Sequence, residues 1–358
     1  MSAQRPERPV ERGVRPERPV ERGVRPERPV ERGARPERPI ERGARPERPS
    51  ERKAKVCVVG SSNVDLVTYA PRLPVLGETL PGDRFEQSFG GKGANQAVMA
   101  AKLGAEVTLV TKIGDDSFGR DYLENFRRLG LDTRFVLVTG EASTGVAPIW
   151  VEEASGNNQI IVVLGANELL TPADVDAAAD AITQCSVLVC QWECPLPSMI
   201  AAMEIARAAG VTTIFNPAPA RGALPDVVYS LCDFLCPNES ETESLTGLSV
   251  ATIDDAERAA RLLRGRGARA VIVTLGERGA LLLDDGPVEV VPAPKVPAVD
   301  TTGAGDAFVG SFAFFIARGH DARDAMARAA RVASISVQRR GAQPSFPRAD
   351  ELPADLLA

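Results

Sequence analysis

Residues 5–52 run one decapeptide, Arg-Pro-Glu-Arg-Pro-Val-Glu-Arg-Gly-Val, nearly five times, and after Lys55 the pattern stops. Each unit holds two prolines, one glycine and five charges beside one or two aliphatics. Such a unit cannot bury enough apolar surface to offset the entropy of ordering it, so 1–55 is expected to be a disordered, partly polyproline-II tail. Its period is also too short for the helical solenoids. Residues 1–55 carry 17 basic against 10 acidic side chains, and 56–358 carry 25 against 38. The chain's formal charge of −6 therefore joins a tail of +7 to a globule of −13. Glutamates interleaved with the arginines cancel most of the tail's field, so it reads as a solvated spacer, with no nucleic-acid partner expected.

Several functional classes drop out. No run approaches the roughly 18–20 apolar residues of a membrane helix, so no membrane partner is expected. The N-terminus has no apolar core of a secretory signal, and ten glutamates are foreign to organelle transit peptides; the expected location is the cytoplasm. His320 is the only histidine, which excludes paired-histidine metal sites. Cys57, Cys185, Cys190, Cys194, Cys232 and Cys236 include two Cys-x3-Cys pairs. Around Cys190 and Cys194 the chain reads as a strand and its exit. Four strand steps span roughly 13 Å, too far for one zinc ion, so buried reduced thiols are expected.

Beyond Lys55, short aliphatic runs (56–59, 107–111, 187–190, 211–215, 270–274) alternate with helical patterns (94–103, 118–129, 173–182, 198–209), and helices over 304–317 and 322–337 close the chain. Alternation of this kind predicts an α/β fold whose mostly parallel sheet is covered by helices on both faces. Segments 78–89 and 145–164 break the rhythm and read as antiparallel pieces of a small second sheet, capping the main domain and offering a dimer surface.

Five stretches carry candidate chemistry. Val299-Asp300-Thr301-Thr302-Gly303-Ala304-Gly305-Asp306 precedes an apolar helix. Small residues at a helix N-terminus leave backbone N–H groups converging on an anion. Asp306 in the first turn can take a proton from a hydroxyl attacking that anion; the plain alternative is an Asp N-cap behind a glycine turn. Phe89-Gly90-Gly91-Lys92-Gly93-Ala94-Asn95-Gln96 is no Walker loop, since Glu86 stands at the first glycine position and Gly93 follows the lysine. Nor is it a dinucleotide fingerprint, because Gln96 replaces the third glycine. What remains is a turn that brings backbone, Lys92 and Asn95 to a small polar ligand. Asn63 and Asp65 follow the first strand, where a parallel sheet collects ligands, and suit vicinal hydroxyls. Asn238 and Glu241 share a helix face and suit water around Mg²⁺, or simple capping. Residues 274–279 end a strand in a glycine turn, for nucleotide contact or a hairpin.

Taken together these stretches resemble one family. The Gly-Gly-Lys-Gly-Ala-Asn-Gln loop, Asn216-Pro-Ala-Pro-Ala220, the Asn238/Glu241 pair, Asp300-Thr-Thr-Gly-Ala-Gly-Asp306 and Arg340-Gly-Ala-Gln-Pro-Ser345 are similar, in order, to the ribokinases among the phosphofructokinase-B-type carbohydrate kinases. The resemblance runs from about Lys55 to Leu352. It implies a three-layer ribokinase-like domain over 56–358 with a small β-sheet lid from segments near 68–90 and 143–165, and a homodimer through that lid.

The implied reaction is ATP-dependent phosphorylation of D-ribose at its 5-hydroxyl, with Asp306 as base and Gly303, Ala304 and Gly305 as anion hole. Asn63, Val64, Asp65, Gly91, Lys92, Gly93, Ala94, Asn95 and Glu193 would hold the sugar. Asn238, Thr274, Leu275, Gly276, Glu277, Arg278 and Gly279, with Gly305 and Asp306, would meet ATP, and Glu241 would hold Mg²⁺ through water. A K⁺ ion beside the anion hole would lie among Asp300, Thr302, Ser336, Arg339, Gly341 and Ser345, mostly at main-chain oxygens. The family often places His or Asn near adenine where this chain has Ala330. The alternatives are the same chemistry on fructose, deoxyribose or a nucleoside, and a non-catalytic sugar- or nucleotide-binding regulator. Intact Asp306 and Lys92 argue against the regulator. A dinucleotide dehydrogenase lacks its glycine fingerprint here.

Overall fold

In the computed structural model, which describes residues 53–357, the five aliphatic runs form the centre of one nine-stranded sheet. The tail reading falls almost wholly outside the described residues. The first strands in chain order are β1 (Lys55–Val59), β2 (Asn63–Ala70), β3 (Arg84–Gly90), β4 (Glu106–Gly114), β5 (Val136–Thr139), β6 (Gly145–Glu152) and β7 (Asn158–Ile160). They are followed by β8 (Val187–Gln191), β9 (Thr212–Asn216), β10 (Phe234–Leu235), β11 (Ala270–Thr274), β12 (Ala280–Leu283) and β13 (Glu289–Val291). The main sheet has the order β13-β12-β11-β10-β9-β8-β1-β4-β5 and is parallel from β5 to β11, with β12 and β13 turning back antiparallel. Strands buried on both faces need no polar alternation, which is why Val-Cys-Val-Val and Val-Leu-Val-Cys read so plainly as strands.

Helices cover both faces. One apolar layer packs α1 (Lys92–Lys102), α2 (Ser117–Arg128), α9 (Ala304–Arg318) and α10 (Ala322–Ser336) on the sheet. The other packs α3 (Pro172–Asp176), α4 (Ala179–Thr183), α5 (Leu196–Ala208), α6 (Asp226–Leu231), α7 (Glu239–Thr246) and α8 (Ile253–Gly265), and holds the thiols of Cys57, Cys190, Cys194 and Cys232. The single helix expected over 173–182 is thus two short ones. Gly310 lets α9 lie close on α1: a Cβ there would come within 2.5 Å of the Gln96 carbonyl oxygen and 2.8 Å of Met99 Cβ. That approach brings Asp306, one turn earlier on α9, against Asn95 and Gln96.

The second sheet has four strands in the order β3-β2-β6-β7. The two segments do supply antiparallel pairs, β3 on β2 and β7 on β6, and the pairs join through β2 and β6, which run parallel along eight residues. Its inner strand β2 carries no plain aliphatic run, so in sequence Asn63 and Asp65 look like a loop behind β1. Pro81 and Gly82 precede the ladder, so strand structure begins only at Arg84. Beyond Ile160 the chain leaves the strand, yet Val146 and Val163 still exchange two backbone hydrogen bonds of 2.9 Å. Among the described residues no helix is long and apolar enough to cross a membrane.

Candidate active site

The N-terminus of α9 is the focus. Gly303 is its N-cap with φ 76, a left-handed conformation that glycine adopts without strain, and no side chain caps the helix. A Cβ on Gly303 would lie 2.9 Å from Ala342 Cβ, so the C-terminal segment closes tightly over the turn. At Gly305 the position of a Cβ meets open space, so protein packing does not demand that glycine. In the first turn the Ala304 N–H donates to the Thr301 carbonyl at 3.1 Å, while the Gly305 N–H meets no backbone acceptor among the described residues and stays available to an anion. Asp306 is 7% exposed. Its Oδ2 accepts from Asn95 Nδ2 and its Oδ1 from Gln96 Nε2, both at 2.9 Å. It is therefore not the helix cap; its carboxylate faces α1.

The Gly-Gly-Lys-Gly loop opens α1. Gly91 is the N-cap at φ 84, and a Cβ there would come 2.6 Å from the Asn63 amide nitrogen. A Cβ on Gly93 would lie 2.5 Å from the Ser61 nitrogen. These glycines let two backbones touch, which sets the loop above β2. Val64 and Ala94 turn their side chains into the apolar layer, leaving only main chain to face a ligand. Glu193, leaving β8, accepts from Ser61 Oγ and, at 2.9 Å, from the Lys92 N–H. It thereby places a carboxylate at the start of α1, where the helix dipole favours it. Asn63 Oδ1 accepts from Asn167 Nδ2 at 2.8 Å.

Charges crowd here. Burial, then the carboxylates of Glu193 and Asp306, raise the pKa of Asp65 from 3.8 to about 7. Burial alone would depress Lys92, but Asp306, Glu193 and Glu241 outweigh it and hold the ammonium above its usual pKa. Lys92 lines a cavity of about 150 Å³ together with Asn216, Asn238, Glu241, Thr274 and the 303–306 turn. Asn238 and Glu241 form a reciprocal capping box at α7: the Glu241 N–H donates to Asn238 Oδ1 at 2.8 Å, and the Asn238 N–H to Glu241 Oε2 at 2.9 Å. The capping alternative is thus present, yet both residues also face the cavity. Burial raises the Glu241 pKa.

Of residues 274–279, Thr274 reaches the cavity. Leu275 is buried in the core, and Gly276–Arg278 form a single 3-10 turn into β12. Arg278 is spent on the Ala251 carbonyl at 2.6 Å and on Glu239, so here the hairpin alternative describes most of the stretch, Glu277 and Gly279 included. The remaining group converges from two segments. Asp300 accepts from the N–H of Thr302 at 2.9 Å and of Gly341 at 2.8 Å, tying the loop before α9 to the segment after α10. Burial opposes its ionisation, but the Gly341 N–H and the Thr302 donors hold its pKa below the usual range. Ser345 Oγ and Ser336 Oγ donate to the carbonyls of Ala342 and Ala333, both at 2.8 Å. Arg339 reaches Glu351 at 2.9 Å. Ala330 is buried on α10.

The geometry is that of an uncapped glycine turn with an adjoining buried carboxylate. The model of the pfkB family carbohydrate kinases matches residues 53–349. The chain belongs to that family. A ribokinase of Mus musculus is 44% identical over 308 residues, 85% of this chain and 95% of the relative. A deoxyribokinase of Salmonella typhi is 43% identical over 297 residues, 83% and 96% of the two chains. Among solved structures, Arabidopsis thaliana ribokinase complexed with ribose and ATP superposes with a TM-score of 0.79 at 30% identity, covering 85% of this chain and 99% of its own. The fold is accordingly the ribokinase-like one, as the order of motifs implied.

Four side chains at this carbohydrate kinase's site had no assigned role in the sequence. Asn216, which lines the cavity, and Gln343, whose Nε2 donates to Asn95 Oδ1 at 3.1 Å, sit inside quoted motifs, and Gln96 closes the glycine loop, so a signal existed. Gln191 ends an otherwise aliphatic strand, and a polar residue in such a run is the only mark it leaves.

Proposed function

We propose that this chain is a ribokinase, transferring the γ-phosphoryl group of ATP to the 5-hydroxyl of D-ribose. The observation that carries this reading is Asp306: a carboxylate in the first turn of α9, gripped at both oxygens, beside an uncapped glycine turn with open space at Gly305. In phosphoryl transfer the protein contributes alignment and charge stabilisation more than covalent chemistry. Asn63, Asp65, Asn95 and Glu193 hold the sugar hydroxyls, and Lys92 sets its ammonium between the sugar side and the phosphate side. Asp306 takes the proton of the 5-hydroxyl. The N–H groups of Gly303, Ala304 and Gly305 receive the charge that gathers on the phosphoryl oxygens.

Mg²⁺ fits the Asn238/Glu241 side. Among the described residues no three acidic, Cys or His side chains gather as a cage, so the ion would keep its waters and the phosphates as ligands, with Glu241 reaching it through water. It supplies neutralising charge to the phosphates when bound. K⁺ fits the loop pair fixed by Asp300: the main-chain oxygens of Asp300, Thr302, Arg339 and Gly341 take no hydrogen bond within the described residues, and the hydroxyl oxygen of Ser345 keeps lone pairs. Its charge would stiffen the anion turn. Exposed Phe85, Ile160 and Ile161 on and beside the small sheet support its use as lid and homodimer face, and the free thiols fit a cytoplasmic setting.

The deoxyribokinase relative supports a second reading, with 2-deoxyribose as substrate. Steady-state kinetics with ATP over ribose, 2-deoxyribose, fructose and adenosine decides: the highest kcat/KM is expected on ribose, and a higher value on another sugar replaces the reading. Asp306→Asn should retain sugar binding and lose turnover by about 10² to 10⁴. Turnover in Na⁺-only buffer should fall and recover with K⁺.

A further inference from the structure

Asp306 ends a row of buried side-chain amides. Gln96 Nε2 lies 2.9 Å from Asp306 Oδ1 and 3.1 Å from Asn216 Oδ1, which occupies both of its N–H groups. Gln96 Oε1 accepts from Gln191 Nε2 at 2.7 Å. Asn216 is anchored in turn, its Nδ2 donating to the Cys236 carbonyl at 2.8 Å. Gln96 and Gln191 are fully buried. Neither lines the cavity.

The direction of this row is forced from its end. An ionised carboxylate can only accept, so the nitrogen of Gln96 must face Asp306. That turns Gln96 Oε1 toward Gln191, whose nitrogen must then donate. The outcome leaves Gln191 Oε1 buried without a partner among the described residues. It fills the space beside Gly60, where a Cβ would lie 2.0 Å from it. An unpaired buried oxygen is destabilising, so a core shaped for stability alone would place an apolar side chain there. Stability does not account for Gln191; the orientation of Gln96 does.

We propose that Gln96 is a positioning residue for phosphoryl transfer, holding one oxygen of Asp306 so that its remaining lone pairs face the substrate hydroxyl, with Gln191 fixing the direction of the Gln96 amide. Asn95 grips the other oxygen, so the carboxylate cannot rotate without breaking a bond at each end. Asn216 extends the row to the phosphate side, its Nδ2 standing 3.5 Å from Glu241 Oε2. The inference rests on Asp306 being the base.

Gln96→Glu keeps the shape and replaces a donor with a second carboxyl beside Asp306. Two carboxyls that close share one proton, so the acid limb of the kcat–pH profile should move up by about one unit or more. At neutral pH kcat should fall about tenfold or more, while the sugar KM stays within about threefold. A buried carboxyl can also disrupt folding, so Gln191→Met is the companion. It removes the donor and the unpaired oxygen while filling the same volume. Its thermal midpoint should equal or exceed the parent's, while kcat drops by about three- to tenfold at unchanged KM. A parental pH profile in folded Gln96→Glu, or parental kcat in Gln191→Met, overturns the proposal. Asp306→Asn measured alongside separates the two readings. Turnover retained there removes the base and this inference with it. Turnover lost there beside a parental profile in Gln96→Glu removes the inference alone.

Discussion

Asp65 carries the strain of placing several carboxylates around one lysine. Burial and the neighbouring Glu193 and Asp306 lift its pKa from 3.8 to about 7 in the folded chain. The folded state thus binds this proton more tightly than the unfolded state does. The stability it contributes is present below 3.8 and is lost as pH rises through about 7. Asp65→Asn keeps the shape without the charge. Its thermal midpoint should gain on the parent's between about pH 5 and about pH 8, by an amount on the order of a few kcal/mol of unfolding free energy. Thermal unfolding of the ligand-free enzyme at the two pH values checks this, and a constant difference removes the assignment. Sugar hydroxyls donating to Asp65 favour its ionised form, so sugar KM in the parent should fall as pH rises through the same range. Residues such as Asp65 were legible because they follow a buried strand. Their mutual crowding was not. Asp306 and Gln96 stand 210 residues apart in sequence, and only the seating of α9 on α1 makes them neighbours.

At the scale of elements, the turn into α9 sorts its glycines by what each one faces. Gly303 combines φ 76 with a close approach to Ala342, so any side chain there is opposed twice by the protein itself. Gly305 has an ordinary helical backbone and empty space beside it. Gly303→Ala should therefore lower the thermal midpoint, the expected loss being about 1 kcal/mol or more. Gly305→Ala should hold or raise it, since alanine favours a helix over glycine by about 1 kcal/mol. Yet Gly305→Ala should cut kcat at least about tenfold if this space admits the phosphoryl group. Differential scanning calorimetry beside kcat separates the pair, and a fully active Gly305→Ala would end the role of that space. The sequence showed both glycines and could not tell them apart, because the distinction lies in the 340–346 segment folding back over the turn. Strands buried on both faces were read correctly from their aliphatic runs. Strand β2 was not, since its polar Asn63 and Asp65 break the apolar pattern that marks the others.

For the molecule as a whole, the question is whether the basic tail helps an acidic domain bind a polyanion. Residues 56–358 carry a net −13 and residues 1–55 a net +7, so the domain's mean field opposes ATP and the tail's favours it. Screening over about 8 Å at physiological ionic strength makes either field a short-range matter. Within that range the first-turn N–H groups of α9 and the ammonium of Lys92, held charged by three carboxylates, are already fixed beside the cavity. Preorganised donors of this kind act without drawing on net charge. Deleting residues 1–54 should accordingly leave kcat and sugar KM as they are, and leave the KM for ATP within about twofold at physiological salt. Repeating the measurement at low ionic strength sharpens the outcome. A tail that steers nucleotide would give a parent with lower ATP KM at low salt, and an advantage that fades as salt is added. A tail that only spaces the domain from something else gives two salt curves that coincide, and coincidence is expected, because every decapeptide sets two glutamates among its three arginines.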